Sequence, residues 1–316
     1  MADAPKPGTA AGATDAGPPR CGVIAIIGAP NAGKSTLVNA LVGAKVTIVS
    51  RKVQTTRIQI RGIAIEGASQ LVLIDTPGIF APKRRLDKAM VASAWSGAAD
   101  ADQVLVLIDA AKGLDEDVER MLGRLADLGG KPILVLNKVD RVEDKGRLLA
   151  LVQDLSAKLP FERVFMIAAL TGDGVAELKR YLAEHVPEGP WLYPEDELSD
   201  IPLRQLAAEV TREKIYDNLH DELPYQITVE TESWKTLRDK SVRVEQVIYV
   251  ERDSQKSIVL GKGGQTVKKI SQASRAELSE IVGAPVHLFL FVKVRENWSQ
   301  DPERYREMGL EFPSDD

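Results

Sequence analysis

The 316-residue chain is poor in several of the features that commit a protein to a compartment or a chemistry. Cys21 is its one cysteine, so no internal disulfide can form and a reducing cytosol is the simplest setting. No histidine lies near that thiol in sequence, and it reads as a small core residue, not a nucleophile. His185, His220 and His287 are isolated and lack metal-ligand spacing. No apolar run reaches the roughly 18 residues that a membrane-spanning helix needs. Positive charge is not in excess either. With 41 Lys and Arg against 46 Asp and Glu, the formal net charge is −5, so a nucleic-acid partner would have to be met by a local patch.

What is present is an ordinary globular composition, 44% hydrophobic and 28% charged, on a chain too long for one small core. Two domains are expected. Residues 1–20 are rich in Pro, Ala and Gly without apolar periodicity, and are expected to be a disordered tail that has the composition of neither a secretory signal nor an organelle transit segment. In residues 21–186, the runs 23–27, 58–65, 71–74, 104–108, 133–136 and 164–167 read as strands, and 118–128, 147–158 and 175–185 as helices. Near-continuous Val, Ile and Leu in the strands means burial on both faces. The expected fold is a doubly wound, mainly parallel α/β domain whose ligands sit at the carboxyl ends of the strands.

Gly28-Ala29-Pro30-Asn31-Ala32-Gly33-Lys34-Ser35 reads G-x-x-x-x-G-K-S between the first strand and a helical pattern that begins at Thr36. Such a loop lets successive N–H groups converge, and the helix N-terminus adds partial positive charge, which suits a nucleotide polyphosphate. Lys34 would bind the β- and γ-phosphates, and the Ser35 hydroxyl would give one oxygen to Mg²⁺. Asp75-Thr76-Pro77-Gly78 follows the strand at 71–74. Asp75 is placed to hold Mg²⁺ through a water and Gly78 to offer its N–H to the γ-phosphate, although D-T-P-G is equally a good turn. Asn137-Lys138-Val139-Asp140 ends the strand at 133–136. An ionised Asp140 accepts two parallel hydrogen bonds, which guanine offers side by side and adenine does not. Asn137 would brace the base and its loop, and the Lys138 stem would cover the ring. The polar stretch 45–57, ending Gln54-Thr55-Thr56-Arg57, is placed to be a first switch with Thr56 as the second hydroxyl on Mg²⁺; a β-rich loop is the alternative.

Each of these motifs follows a buried strand, and in this order they resemble the translation-factor-like GTPases. The resemblance implies a further base-contacting element at Ala168-Ala169-Leu170. There Ala168 replaces the usual serine, so a bracing hydroxyl is lost, while the Ala169 N–H would still reach the guanine oxygen. Ile79 and Phe80 stand where Ras-like enzymes carry a water-orienting Gln, and slow intrinsic turnover is expected. The pattern is also similar to GTPases in which the loop asparagine, here Asn31, holds a K⁺ ion that supplies the charge of an arginine finger. The catalytic set is then Asn31, Lys34, Thr56 and Gly78.

Residues 187–200 break every periodicity and read as an extended, acidic linker. In residues 201–296 a helix is expected at 203–219, strands at 225–230, 242–250 and 257–260, then the turn Gly261-Lys262-Gly263-Gly264, a helix at 265–281 and a strand at 286–294. Lys256, Lys262, Lys268, Lys269 and Arg275 share a window with no acidic residue. This resembles a KH domain of type II, which implies that Gly261, Lys262, Gly263 and Gly264, with Lys268 and Lys269, clamp a single-stranded nucleic-acid backbone. A solvated basic helix face after a glycine turn is the plainer reading. Residues 297–316 read as a partly helical tail packed on the sheet of this domain.

A P-loop GTPase with T-T-R, D-T-P-G and N-K-V-D, followed by a KH module, closely resembles the Era family from about residue 22 to residue 294. The resemblance implies a GTP-hydrolysing switch, with GTP and GDP as ligands, that binds the single-stranded 3′ end of small-subunit ribosomal RNA and acts in assembly of the 30S subunit. It also implies a cytoplasmic monomer that touches the inner face of the cell membrane peripherally. The alternative is a signalling or membrane-associated GTPase whose KH-like domain binds protein; an ATPase is a remoter one.

Overall fold

A computed structural model describes residues 17–50, 52, 55–220, 223–296 and 298–313. Most of the expected N-terminal tail, and Gln54 of the expected switch, lie outside the described residues. Six strands form the first sheet: β1 (Arg20–Ile27), β2 (Ile60–Glu66), β3 (Ser69–Asp75), β4 (Gln103–Asp109), β5 (Ile133–Asn137) and β6 (Val164–Ile167). Their order is β2-β3-β1-β4-β5-β6, and every pair is parallel except β2 with β3 at the edge. Helices α1 (Lys34–Val42) and α5 (Val175–His185) cover one face; α2 (Arg85–Ala99), α3 (Glu116–Leu128) and α4 (Gly146–Lys158) cover the other. Ile24 and Ile26 therefore face one core while Ala25 and Ile27 face the second, which is why β1 is apolar at consecutive positions. Each fully buried Ile or Leu of this kind contributes roughly 1.5–3 kcal/mol.

Three local features depart from the sequence reading. Helix α2 is absent from it because Ala89, Ala94, Gly97 and Ala98 fill much of the buried face and blur the apolar stripe. Its start is fixed by Asp87, whose carboxylate accepts from the N–H groups of Lys83 and Arg84 at 3.1 and 2.9 Å. Cys21 is half-buried beside Gln70, not a core residue, and burial pushes its thiol pKa up. The segment 187–200 is extended but bound: Gln70 holds the N–H groups of Leu192 and Tyr193, and the Ile63 N–H donates to Leu198.

The second unit has the order α6 (Leu203–Asn218), β7 (Thr228–Thr236), β8 (Val242–Val250), α7 (Asp253–Leu260), α8 (Gln265–Val282) and β9 (Val286–Val294). Its sheet runs β7-β8-β9, with β7 antiparallel and β9 parallel to β8. The strand expected at 257–260 is the last turn of helix α7. The Gln255 side chain accepts from the N–H groups of Glu251 and Arg252 at 2.8 and 3.2 Å and starts the helix, which turns Val259 into the core and leaves Ile258 outside.

The C-terminal segment divides its contacts between the two units. Trp298 donates to the Gln226 carbonyl at 3.0 Å, and Arg304 of helix α9 (Pro302–Glu307) pairs with Glu230 of β7. Tyr305 and Leu310, however, pack on Ala89 and Met90 of α2, so the segment bridges to the first unit instead of lying on the second sheet alone.

Candidate functional site

The carboxyl ends of β1, β3, β4, β5 and β6 converge on a cavity of about 930 Å³. Of the residues singled out in sequence, Pro30, Asn31, Gly33, Lys34, Ser35, Thr36, Thr56, Gly78, Asn137, Lys138, Asp140, Ala169 and Leu170 line it. Gly28, Ala32, Asp75, Thr76, Pro77 and Ala168 are buried behind its wall, and Ala29 is half-buried with its carbonyl turned to Lys34.

The glycines are there because neighbouring atoms leave no room. Gly33 has φ 103°, and a Cβ on it would lie 2.3 Å from Asn137 Nδ2; a Cβ on Gly78 would come within 3.0 Å of Pro30. Lys34 is 6% exposed and donates to the Gly28 and Ala29 carbonyls, both at 3.1 Å. Burial lowers its pKa to about 8, with Asp75 opposing and Lys138 reinforcing the shift. An ammonium so poorly solvated is poised to gain from an anion.

Beside it lies a cluster of oxygens. Ser35 Oγ and Thr56 Oγ1 are 3.0 Å apart, and Ser35 and Thr47 both donate to Asp75 Oδ2 at 2.7 Å. Asp75 Oδ1 is buried and has no partner. Burial pushes the Asp75 carboxyl up, while hydrogen bonds from Thr47 and Ser35 and the charge of Lys34 pull it back. Two hydroxyls and one carboxylate with a spare oxygen fit Mg²⁺, a hard cation that takes few protein ligands and completes its shell with phosphate and water. In keeping with so sparse a site, no group of three or more His, Cys, Asp or Glu among the described residues could hold a metal. Thr76, by contrast, spends its hydroxyl on the Ile26 carbonyl at 2.7 Å.

At the other end of the cavity Asn137 ties three loops together. Its Nδ2 donates to the Ala32 carbonyl at 2.8 Å and its Oδ1 accepts from the Ala169 N–H at 3.0 Å. That last bond differs from expectation: the Ala169 N–H braces the loop, replacing the hydroxyl lost at Ala168, instead of facing the cavity freely. Lys138, at φ 64°, reaches Asn31 O at 2.5 Å and Asp109 Oδ2 at 2.7 Å. Asp109 thus fixes the lysine stem and was not foreseen. Asp140 lies exposed on the rim, where a ligand would cover it.

Residues of the second unit reach this site as well, and nothing local in the sequence announces them. Tyr216 and Asp217 of α6 line the same cavity. Arg57, adjacent to Thr56, is 4% exposed; its guanidinium donates to the carbonyls of Ile227, Pro224 and Tyr225 and to Tyr216 Oη, at 2.8–3.3 Å. In the opposite direction Arg212 of α6 donates to the Thr55 carbonyl at 2.6 Å, and Glu213 accepts from the Val49 N–H at 2.7 Å.

The second candidate surface is the turn between α7 and α8. Gly261, Gly263 and Gly264 have φ of 73°, 60° and 77°, a run that L side chains adopt only under strain. A Cβ on Gly261 would lie 2.1 Å from the Thr266 hydroxyl, whereas Gly263 and Gly264 face open space. Lys262, Lys268 and Lys269 are exposed, and among the described residues none of them forms a hydrogen bond or ion pair.

A strand–phosphate loop–helix with this oxygen cluster, coupled to a β-α-α-β unit turning on G-K-G-G, defines a guanine-nucleotide-binding protein with an appended KH domain. Residues 23–138 match the family described as a 50S ribosome-binding GTPase, and residues 222–299 match the KH domain family. Over 298 residues the chain is 66% identical to GTPase Era of Afipia carboxidovorans, covering 94% of this chain and 96% of that one; over 307 residues it is 62% identical to GTPase Era of Rhizobium meliloti, covering 96% of both. Two crystal structures, one of Era in complex with MgGDPNP and nucleotides 1506–1542 of 16S ribosomal RNA and one of a point variant of Aquifex aeolicus Era bound to GDP·AlF4⁻, superpose with a TM-score of 0.87 each. They are 38% and 37% identical to this chain, over 92% of it and 99% of theirs. The chain belongs to the Era family of GTPases.

Proposed function

We propose that the chain is a GTP-driven switch that binds the single-stranded 3′ end of small-subunit ribosomal RNA through its KH unit and serves assembly of the 30S subunit. The observation that carries this reading is the two-way stitching of the switch segment to α6. Thr56 belongs to the oxygen cluster, and the next residue, Arg57, is plugged into the second unit. GTP and Mg²⁺ would order this segment, favour the domain arrangement that exposes the KH cleft, and hydrolysis would release the RNA. Coupling is reciprocal, so RNA in turn favours the GTP state. The functional units of this reading are residues 21–186 and 201–296, joined by 187–200.

Roles follow from position. Gly28 to Thr36 cradle the phosphates with Lys34 as the buried cation; Ser35, Thr56 and Asp75 hold Mg²⁺; Gly78 meets the γ-phosphate; Asn137, Lys138, Asp140 and Ala168 to Leu170 shape the guanine site. Gly261 to Gly264 with Lys268 and Lys269 take the RNA backbone. A relative with 16S RNA bound covers 92% of this chain, whereas the 50S description applies to residues 23–138 alone, and the wider match supports the small subunit. Ile79 and Phe80 cannot orient a water, so intrinsic hydrolysis is slow, and Asn31 would hold a K⁺ ion whose positive charge would assist the reaction. K⁺ then accelerates hydrolysis more than Na⁺ does, and equal rates together with a silent Asn31→Ala would remove the ion from the mechanism. The reading places the protein in the cytoplasm as a monomer. Among the described residues no helix is long and apolar enough to cross a membrane, and contact with the inner membrane face rests on family resemblance alone.

Fluorescence anisotropy of a single-stranded oligonucleotide from the 3′ end of small-subunit RNA, against a scrambled control, tests the core of the proposal. Tighter, sequence-dependent binding with a non-hydrolysable GTP analogue than with GDP is expected, together with its loss when Lys262 and Gly263 are both changed to Asp. Weak binding that ignores both nucleotide and sequence would direct the search to a protein partner for the KH unit.

A further inference from the structure

We propose that Thr47 is a positioning residue of the metal site, holding Asp75 in place before the ion arrives, and that Asn39 in turn holds Thr47. The inference deepens the Mg²⁺ reading above and rests on it.

Three hydroxyls surround one oxygen of Asp75: Ser35 Oγ and Thr47 Oγ1 at 2.7 Å and Thr56 Oγ1 at 3.4 Å from Oδ2. Two of them, Ser35 and Thr56, line the cavity and are the hydroxyls available to the ion. Thr47 is different, being fully buried and not part of the cavity lining. Its hydroxyl is spent on Asp75, at 2.7 Å.

Its place is fixed from the opposite side by the helix that carries the phosphate loop. Asn39 Nδ2 donates to the Thr47 carbonyl at 2.8 Å, and Asn39 Oδ1 accepts from the N–H groups of Val46 and Thr47 at 2.9 and 3.1 Å. One amide therefore clamps both sides of the peptide unit at Thr47, and no ligand takes part in the clamp. With Oδ2 held this way, the carboxylate plane is set, and the unpartnered Oδ1 remains as the oxygen available to the ion or its water. A carboxylate held by one fixed donor loses less orientational freedom when the ion binds.

The test is the release rate of a fluorescent GDP analogue from the full chain as free Mg²⁺ is varied, for wild type, Thr47→Val, Thr47→Ser and Asn39→Ala. Outer partners of metal ligands typically alter metal affinity by about 10–100-fold, so Thr47→Val is expected to raise the Mg²⁺ concentration that half-slows release by about tenfold. Release in EDTA should stay at the wild-type rate, Thr47→Ser should restore the wild-type midpoint, and Asn39→Ala should shift it in the same direction as Thr47→Val. An unchanged midpoint in Thr47→Val, or an equal shift in Thr47→Ser, would overturn the proposal. Should Thr47→Val fail to fold, Thr47→Ala removes the same hydroxyl and is judged by the same midpoint. A wild-type chain whose release ignores Mg²⁺ altogether would instead overturn the metal reading itself.

Discussion

The nucleotide cavity and the G-K-G-G turn are both glycine-bearing loops that lead into a helix through a left-handed residue, Gly33 in one and Gly264 in the other. Their cations are treated in opposite ways. Lys34 is buried and held by two carbonyls, and its neighbours Ser35, Asp75 and Asn137 are each locked by hydrogen bonds to distant parts of the chain. Lys262, Lys268 and Lys269 stand in solvent. The first loop is preorganised around one small ligand of fixed geometry, so its discrimination comes from groups already held in place before the ligand arrives. The second offers a shaped backbone and exposed charge, which suits a flexible polyanion whose bases must be tried in several positions.

The sharpest test of this contrast is Asp140→Asn. A preorganised base site loses roughly 10⁴-fold in affinity when its paired acceptor becomes a mismatched donor, so GTP binding should collapse and xanthosine triphosphate binding should appear. Unchanged nucleotide preference in a competition titration would break the base-reader assignment. Next in size is Arg57→Ala, which removes four hydrogen bonds at the joint between the two regions. A loss of about 1–3 kcal/mol in unfolding free energy is expected, along with loss of the nucleotide dependence of RNA binding. If that dependence survives, the regions communicate by another route, such as the contact of Tyr305 and Leu310 with α2. Smaller again is the effect of Lys268→Ala: RNA affinity should fall several-fold and the salt dependence of log K by about 0.7, with GDP affinity unmoved. A lysine that altered GDP affinity would erase the distinction.

The smallest effect concerns protons. Lys34 is lowered to about 8 from 10.5 in the free chain, and a bound phosphate would restore its charge. The complex then holds more protons than the free chain above about pH 8, so nucleotide affinity should decline as pH rises and stay level below that point. Calorimetry near pH 9 in two buffers of different ionisation enthalpy should register proton uptake.

Much of this was legible in the chain because the signals are local. Gly28 to Ser35 spans eight residues whose spacing already dictates a turn, a cation and a hydroxyl at a helix start, and the strands announce themselves by apolar runs that only two-sided burial explains. Illegible features have long-range causes. Helix α2 hides its stripe behind alanines: Ala94 and Ala98 pack on the sheet, and Ala89 packs with Tyr305, more than two hundred residues later. The end of α7 looks like a strand because Ser257 to Leu260 is short and apolar, and only the reach of Gln255 back to Glu251 decides for helix. The Ala169 N–H, which the sequence aims at a ligand, donates here to Asn137, 32 residues earlier.

By itself, then, the sequence determined the two-unit plan, the family and the phosphate, metal and base motifs, since each of these is written in residues that are neighbours along the chain. Tertiary structure alone decided that Thr47 stands behind Asp75, that Arg57 leaves the site to plug into the second unit, and that Tyr216 and Asp217 enter the cavity from the far side. The first two are pairings of buried polar groups across 28 and 170 positions. No periodicity encodes them, because a hydrogen bond is set by where two elements come to rest and not by the spacing of residues within either one.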